Sequence, residues 1–204
     1  NQVSPIELCW NITSYISIIV QLIAAGVCFG VFVLPYMQGR DKAVKTGSVY
    51  GVVMTVLYIM PPQIDNILAY FIGTVAAFAV MYVEDRQNIN QKIFLSVTFF
   101  TLRWLSSSMA GIIDFFLDIV LFNSAIAAMS WLHYGLYVMT RIMDILFCSL
   151  LLLLSIQAVN RAYEYKNRYM GKKELLMLIV PSLLGMVGYM IFHFYQVKSE
   201  MTGF

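Results

Sequence analysis

Long apolar runs separated by short polar stretches dominate this sequence. A helix needs about 20 consecutive apolar residues to cross the roughly 30 Å hydrocarbon core of a bilayer. Runs at about 14–37, 92–113, 131–160 and 174–196 meet that length. The pattern therefore predicts helices that cross a membrane.

A further apolar run covers 38 residues and is too long for one crossing, because a helix of that length would extend roughly 57 Å. Pro61 and Pro62 interrupt it near its centre. Proline lacks an amide hydrogen and clashes with the preceding turn, so the helix breaks there. We expect a tight hairpin of two short helices, at about 46–60 and 64–83, with Asp65 near its tip.

The stretch FFLDIVLFNSAIAAMS (115–130) is apolar but has only 16 residues, with Asp118 and Asn123 inside it. We expect an interfacial or re-entrant segment here rather than a crossing. The predicted fold is an all-α, polytopic bundle of about six transmembrane helices, and residues 1–204 form one transmembrane domain.

The positions of the basic residues predict the orientation of this bundle in the membrane. Lys and Arg collect in cytoplasmic loops, and ten of the 13 lie in the alternate connections GRDKAVK, EDRQNINQK and NRAYEYKNRYMGKK. The opposite connections and ends hold acidic residues and only one basic residue, Lys198. We therefore expect both ends of this stretch outside the cell. Counting 115–130 as a crossing would place the most basic connection outside.

Composition agrees with a membrane location. The chain is 60% hydrophobic and 12% charged, about half the charged fraction of ordinary soluble domains. Its three cysteines show no CxxC spacing and are expected to be buried small hydrophobic residues rather than disulfide or metal ligands.

No catalytic motif is visible: the sequence has no HExxH, GxSxG, P-loop or phosphate-cradling glycine loop. We expect no enzymatic activity in this stretch, no cofactor and no metal. The basic connections lack interleaved aromatic residues, so they indicate topology and contact with anionic lipid headgroups rather than nucleic-acid binding.

Charges inside the apolar runs are the strongest indication of a site. Arg103, Arg141 and Asp144 lie near the middle of predicted spans. A central Arg or Asp costs at least about 2.5–3.5 kcal/mol on insertion, so such residues point into the bundle and find partners. We expect Asp144 to pair with Arg141 in its own helix and with Arg103 across to the fourth span. Asp114, or an acidic group on a ligand, would balance the second cation.

Helical spacing places these charges on polar stripes. Three predicted spans each carry one, which indicates a polar interior shared by the last three spans. The stripes comprise Ser96, Phe100, Arg103, Ser107, Gly111 and Asp114; Tyr134, Tyr137, Arg141, Asp144, Cys148 and Ser155; and Ser182, Gly185, Tyr189, His193 and Gln196. Such a cluster would fix helix packing, recognise a ligand and couple a signal, or form an ion or proton path.

Other candidate ligand or coupling residues lie toward the predicted outer side. They are Asp114, Asp118, His133, Tyr134 and His193. Each histidine is either a hydrogen-bonded packing residue or a ligand-binding one, and two are too few for a convincing metal site.

Two GxxxG pairs are candidates for close helix packing in lipid, where small residues let backbones approach. They are Gly26/Gly30 on the first span and Gly47/Gly51 on the second. Each would serve either as a contact face within the bundle or as a homodimer interface.

Three segments resemble the membrane part of bacterial sensor histidine kinases with GHKL-type ATPase domains, the multi-pass sensors related to quorum-sensing peptide receptors. They are AVMYVEDRQNINQKIFLSVTFFTLRWL (79–105), LLLLSIQAVNRAYEYKNRYMGKKE (151–174) and KKELLMLIVPSLLGMVGYMIFHFYQ (172–196). The stretch contains neither the phosphoacceptor-histidine helix nor the ATP-site boxes of that family. The resemblance implies the sensory half alone, with another span after residue 204 leading to a cytoplasmic kinase.

The resulting hypothesis is the sensory input domain of a two-component histidine kinase in the bacterial cytoplasmic membrane. Its expected partners are membrane lipid, an extracellular peptide or other small ligand, and a second copy in a homodimer. A small membrane transporter component and a structural membrane protein are the alternatives.

Overall fold

The computed structural model describes residues 4–60, 65–121, 131–163 and 169–202, without the side chains of 118, 121, 189 and 192–202. The described backbone forms six helices, so the all-α prediction is confirmed. They are α1 (Pro5–Val33), α2 (Arg40–Ile59), α3 (Asn66–Glu84), α4 (Ile89–Leu121), α5 (Trp131–Ala162) and α6 (Lys172–Thr202).

Helix α1 begins nine residues before the predicted span, because its polar first turns carry a strong start signal. Ser4 is the N-cap and accepts a hydrogen bond from the Glu7 backbone amide at 3.2 Å, and Pro5 follows at the first helical position. Ser and Pro are favoured at these two positions. The helix ends at Val33, shortly before Pro35, because proline has no amide hydrogen to continue the helical hydrogen bonds.

The two helices of the predicted hairpin are confirmed by α2 and α3, and α2 begins at Arg40, six residues before the predicted start. Helix α2 ends at Ile59 and α3 begins at Asn66, with Asp65 as its N-cap, and the two helices pack against each other. Pro61 and Pro62 themselves lie outside the described residues.

Helix α4 is longer than predicted. It continues through Asp114 to Leu121, 33 residues in all, or roughly 50 Å. The expectation of a separate interfacial or re-entrant segment from residue 115 is therefore wrong over 115–121. The sequence between Gly111 and Asn123 contains no proline or glycine to end the helix. The rest of that prediction, 122–130, lies outside the described residues.

The first five helices form a closed ring, and the sixth lies outside it. Each of α1 to α4 packs against the next, α5 returns to α1, and α1 also touches α4 across the ring. In the described part of the chain, α6 packs only against α4. The predicted polar interior formed by the last three spans is therefore wrong for α6, whose Gly185 is exposed to the surroundings. The interior belongs to α1–α5.

The three basic connections meet at one end of the ring. The Tyr36 hydroxyl donates to Asn160 Oδ1 at 2.7 Å, which joins the end of α1 to the end of α5. The Lys42 ammonium donates to the Glu84 carbonyl at 3.1 Å, which joins α2 to α3. The charge pattern predicts that these three connections lie on the same side of the membrane, and their meeting at one end of the ring agrees with that prediction.

Lys92 closes the connection between α3 and α4. Its side chain is buried, and its ammonium donates to the backbone carbonyls of Asp85 and Gln87 and pairs with the Asp85 carboxylate at 3.2 Å. Asn88 adopts a positive φ of 53° in this turn, a conformation that Asn tolerates better than most residues. The turn is thus fixed by a buried cation.

Four of the helices, α1, α3, α4 and α5, are long and apolar enough to cross a membrane. Large apolar side chains also cover their outer surfaces, as at Val27, which is 62% exposed, and Leu146, which is 60% exposed. A multi-pass membrane protein follows from these two observations. Crossings by α2 and α6 stay predictions.

The crossing of α1 and α2 brings their backbones close together, because the two GxxxG pairs meet there. A Cβ added at Gly26 would lie 2.7 Å from the Gly47 carbonyl oxygen, and one at Gly47 would lie 2.9 Å from the Gly30 amide nitrogen. Only glycine allows this approach. The prediction of a contact face within the bundle is confirmed.

Candidate functional site

Arg103 occupies the centre of the ring. It sits midway along α4 with only 2% of its surface exposed, and its Nη1 donates to Cys148 Sγ of α5 at 3.2 Å. The guanidinium carbon also lies 5.1 Å from the centre of the Tyr70 ring of α3. Tyr50 of α2 and Cys28 of α1 are near enough to interact with it electrostatically. All five ring helices therefore contribute to the surroundings of one cation.

Aromatic rings pack one helical turn from this guanidinium. Phe29 of α1 stacks on Phe99 of α4 with centroids 4.0 Å apart, and Tyr50 meets both rings edge-on. All three side chains are fully buried. This layer excludes water from one side of Arg103 and holds its position, because stacked and edge-on rings pack with specific geometry.

The polar groups around Arg103 are incompletely satisfied. Its Nε has no hydrogen-bond partner among the described residues, and the buried Tyr50 hydroxyl lies close enough to the guanidinium to interact with it. The Cys148 sulfur to which Arg103 Nη1 donates is a weak acceptor. Tyr70 directs its own hydroxyl to Ser107 Oγ, 2.9 Å away. The site has the chemistry to take one more acceptor, such as a carboxylate, because unmade hydrogen bonds are costly in a low-dielectric interior.

A second charged contact joins the same two helices farther along. Arg141 Nη2 of α5 lies 2.8 Å from Asp114 Oδ2 of α4, and both side chains are about a fifth exposed. The Arg141 guanidinium also lies 5.5 Å from the centre of the Tyr137 ring. Helices α4 and α5 are thus tied twice by arginine, once in the buried centre and once toward the predicted outer end.

The predicted pairing of Asp144 is wrong. Among the described residues, Asp144 forms an ion pair with neither Arg141 nor Arg103, and it is half-buried. Arg141 instead pairs with Asp114 of α4. From the sequence, Asp114 was expected only to balance the second cation.

An aromatic group covers the Arg141 pair and involves the start of α1. Trp10 stacks on Tyr137 with ring centroids 4.0 Å apart, and Tyr134 lies 6.4 Å away. The Tyr134 hydroxyl is hydrogen-bonded to Thr13 Oγ1 at 2.7 Å. We call Trp10, Thr13, Tyr134, Tyr137 and Arg141 the aromatic end. It combines flat apolar faces with hydrogen-bonding groups.

The remaining predicted residues are placed as follows. His133 is half-buried beside Tyr134 at the start of α5. Asp118 lies on α4 one turn beyond Asp114, and His193 lies on α6 outside the ring; their side chains are not among those described. The structure therefore places Arg141, Asp114 and Tyr134 at the same end of the ring. Arg103 lies apart from them, in the buried centre.

Sequence reasoning missed Cys28, Tyr50, Tyr70 and Trp10, which come from α1, α2 and α3. The only available signal was the position of tyrosine and cysteine near the middle of apolar runs, and polar stripes were sought only in the last three spans. Within the described residues, no three His, Cys, Asp or Glu side chains gather into a group that could hold a metal ion.

Comparison of the chain with protein-family models, with curated proteins and with solved structures finds no match.

Proposed function

We propose that this chain is the sensory input domain of a membrane sensor kinase, which responds to an extracellular ligand such as a peptide. The observation that carries the proposal is Arg103, a cation that is buried where five helices meet and that donates to a thiol. A residue that needs only to pack would be less costly if it were apolar. The sequence resemblance supplies the class of protein, and the geometry supports a coupling role.

The aromatic end is the proposed ligand surface. Its Trp10 and Tyr137 faces, with Arg141 beside them, suit a peptide that carries an aromatic or acidic group. A ligand that attracts Asp114 or Arg141 would weaken the 2.8 Å pair between α4 and α5. Binding would then favour one of two arrangements of these helices.

Arg103 is the proposed coupling element. It lies 11 residues from Asp114 on α4, or roughly 16 Å along the helix axis. A slide or rotation of α5 against α4 would change both arginine contacts together. A ligand shifts such an equilibrium only as far as it binds one state more tightly than the other. A weak, replaceable contact to Cys148 suits two states of similar free energy.

Six membrane crossings with both ends of the stretch outside are part of the proposal. The meeting of the three basic connections at one end of the ring supports it. Single cysteines placed at Gln38 and at Asp65, in a background without the three native cysteines, would be labelled with an impermeant maleimide. The proposal expects labelling of intact cells at 65 and not at 38, and the reverse would contradict it.

The function is tested in the full-length protein reconstituted in vesicles, by measuring autophosphorylation from labelled ATP with and without fractions that contain secreted peptides. We expect the Arg141→Leu variant to lose the response while basal phosphorylation persists. Lys173→Gln, an exposed change on α6, is the matched control. An Arg141→Leu response equal to that of the wild type would remove the aromatic end from the mechanism. Solute uptake by vesicles, sensitive to Arg103, would favour the transporter alternative.

A further inference from the structure

The outer face of the α1–α2 crossing forms an apolar groove that the proposed function does not use. The groove has a volume of about 640 Å³. Its floor is the glycine backbone of both helices, which lets the surface sink between two rows of side chains. The walls are made by valines, including Val27, Val31, Val52 and Val56, which are all exposed.

The groove is apolar except for two hydroxyl groups and is positive at one end. Ser48 is an exposed lining residue, and Thr55 lines the groove with its hydroxyl donating to the Gly51 carbonyl at 2.8 Å. Arg40 stands at the end next to Leu34, in the connection that carries basic residues. Gly39, the N-cap of α2, has no side chain to cap the first amides of that helix. Arginine and open helix amides together attract a phosphate.

The groove has the dimensions of one membrane leaflet. Its α1 wall runs from Ile23 to Leu34, 12 residues or about 17 Å along the axis. Half of the hydrocarbon core is about 15 Å thick. An acyl chain lying in the groove would therefore start at the Arg40 level and end near the bilayer centre.

We propose that this groove binds one anionic phospholipid, with an acyl chain between the valine walls and the headgroup phosphate at Arg40 and the start of α2. Asp41 is exposed beside Arg40 and disfavours a headgroup with further negative charge. Lys45 does not compete for the phosphate, because it pairs with Glu84 at 2.8 Å. The inference rests on the proposed membrane crossing of α2 and does not depend on a signalling role.

The first test uses the unaltered protein in mixed vesicles of phosphatidylglycerol and phosphatidylcholine, each carrying a photoreactive acyl chain in turn. We expect phosphatidylglycerol to label segments 23–34 and 44–56 more strongly than phosphatidylcholine does. Even labelling of all lipid-facing helices, α6 included, without preference for either lipid would contradict the site.

Two variants distinguish the contribution of the lipid headgroup from that of the acyl chain. Arg40→Gln should weaken phosphatidylglycerol retention about fivefold, the factor that corresponds to about 1 kcal/mol per basic residue at an anionic surface, whereas Lys173→Gln should not. Val52→Trp, which fills the groove, should abolish labelling by both lipids there. Leu184→Trp, on the exposed face of α6, is its control.

Two results would overturn the proposal. One is an equal effect of Arg40→Gln and Lys173→Gln on lipid retention. The other is a loss of self-association in Val52→Trp with lipid labelling unchanged, which would assign the groove to a second copy of this chain.

Discussion

Arg103 and Cys148 join the middle of α4 to the middle of α5 through a hydrogen bond of 3.2 Å in the fully buried centre of the ring. A guanidinium has five donors, and a thiol is a weak acceptor. Removing one partner of a buried polar contact generally costs more than replacing both with apolar groups of the same shape. The stability and the ligand response of Arg103 variants can therefore distinguish a packing role from a coupling role.

The first prediction concerns Arg103→Met, which keeps much of the side-chain volume and removes the charge. We expect its thermal unfolding midpoint in lipid nanodiscs to equal or exceed that of the wild type, because the costly desolvation of the cation is removed and the partner left behind, the Cys148 thiol, packs as a small apolar group. We expect the ligand response of the full-length protein to be lost. Arg103→Ala should lose about 2–5 kcal/mol of unfolding free energy through the cavity it leaves.

The two readouts decide between the roles of Arg103. A Met variant that stays folded and keeps a normal dose response would show that Arg103 serves packing alone. A Met variant that is folded but unresponsive supports coupling.

The second prediction concerns the Arg141–Asp114 pair, whose side chains are about a fifth exposed. Asp114→Asn should cost about 1–3 kcal/mol of unfolding free energy, between the values for exposed and for buried pairs. The exchange Asp114→Arg with Arg141→Asp should recover part of that loss. A double-mutant cycle measures this coupling, and an interaction energy near zero would mean that the contact contributes no stability.

The apolar and basic patterns were sufficient to predict the helices, and insufficient to predict their ends. The apolar runs predicted all six helices, and the two prolines predicted a break between α2 and α3, which end and begin at Ile59 and Asn66. The apolar pattern could not place the end of α4, because FFLDIVL is as compatible with a continuing helix as with an interfacial segment. It also missed the start of α1, where the polar cap at Ser4 extends the helix beyond the apolar run.

The charged residues were predictable as inward-facing, and their partners were not. Burial cost alone identifies Arg103 and Arg141 as functional candidates. The partner of each arginine depends on which helices are neighbours. The polar stripe on α6 predicted that this helix lines the interior, whereas the interior is formed by α1–α5. Tyr70, which covers the Arg103 guanidinium, comes from α3, and nothing in the spacing along α3 links it to α4.

The third prediction concerns the glycine crossing. Gly47→Ala should destabilise the protein by about 1–3 kcal/mol, because the new methyl group meets the Gly26 carbonyl and the Gly30 amide and pushes α1 from α2. Gly185→Ala is the control, since a Cβ there has no described atom within 4 Å. Equal thermal midpoints for the two variants would contradict the close crossing.

The fourth prediction is a loss of stability in acid from the α3–α4 turn. The hydrogen bond from Lys45 holds the pKa of Glu84 below its ordinary 4.5. Burial opposes ionisation of Asp85, but the Gln87 amide and Lys92 outweigh it and hold its pKa below the ordinary 3.8. Both pKa values are lower in the folded state than in the unfolded state. The contribution is therefore present above the unfolded pKa values and is lost as pH falls through the folded ones.

Thermal midpoints measured from about pH 6 down to about pH 3 check this linkage. The variant with Glu84→Gln and Asp85→Asn should show a shallower decline over that window. Glu7→Gln, at an exposed position that forms no ion pair with another described residue, should leave the slope unchanged. Parallel curves for the double variant and the wild type would refute the prediction.

The fifth prediction concerns how α6 is attached. Besides packing on α4, it is held at its start by Asn90, whose side chain donates to the Met170 carbonyl at 2.9 Å, and by Asn88, which accepts from the Met170 amide at 3.1 Å. Met170 is fully buried. These bonds connect the α3–α4 turn to the residue two positions before α6. We expect Asn90→Ala to speed hydrogen exchange of the amides at 169–175 while the amides of α1 keep their rates, because only the local opening free energy falls.

The matched control is Asn11→Ala, which changes an exposed asparagine on α1. If α6 carries the signal onward, the Asn90 variant will also show a response that is uncoupled from ligand. Unchanged exchange at 169–175 would mean that packing against α4 alone fixes the start of α6.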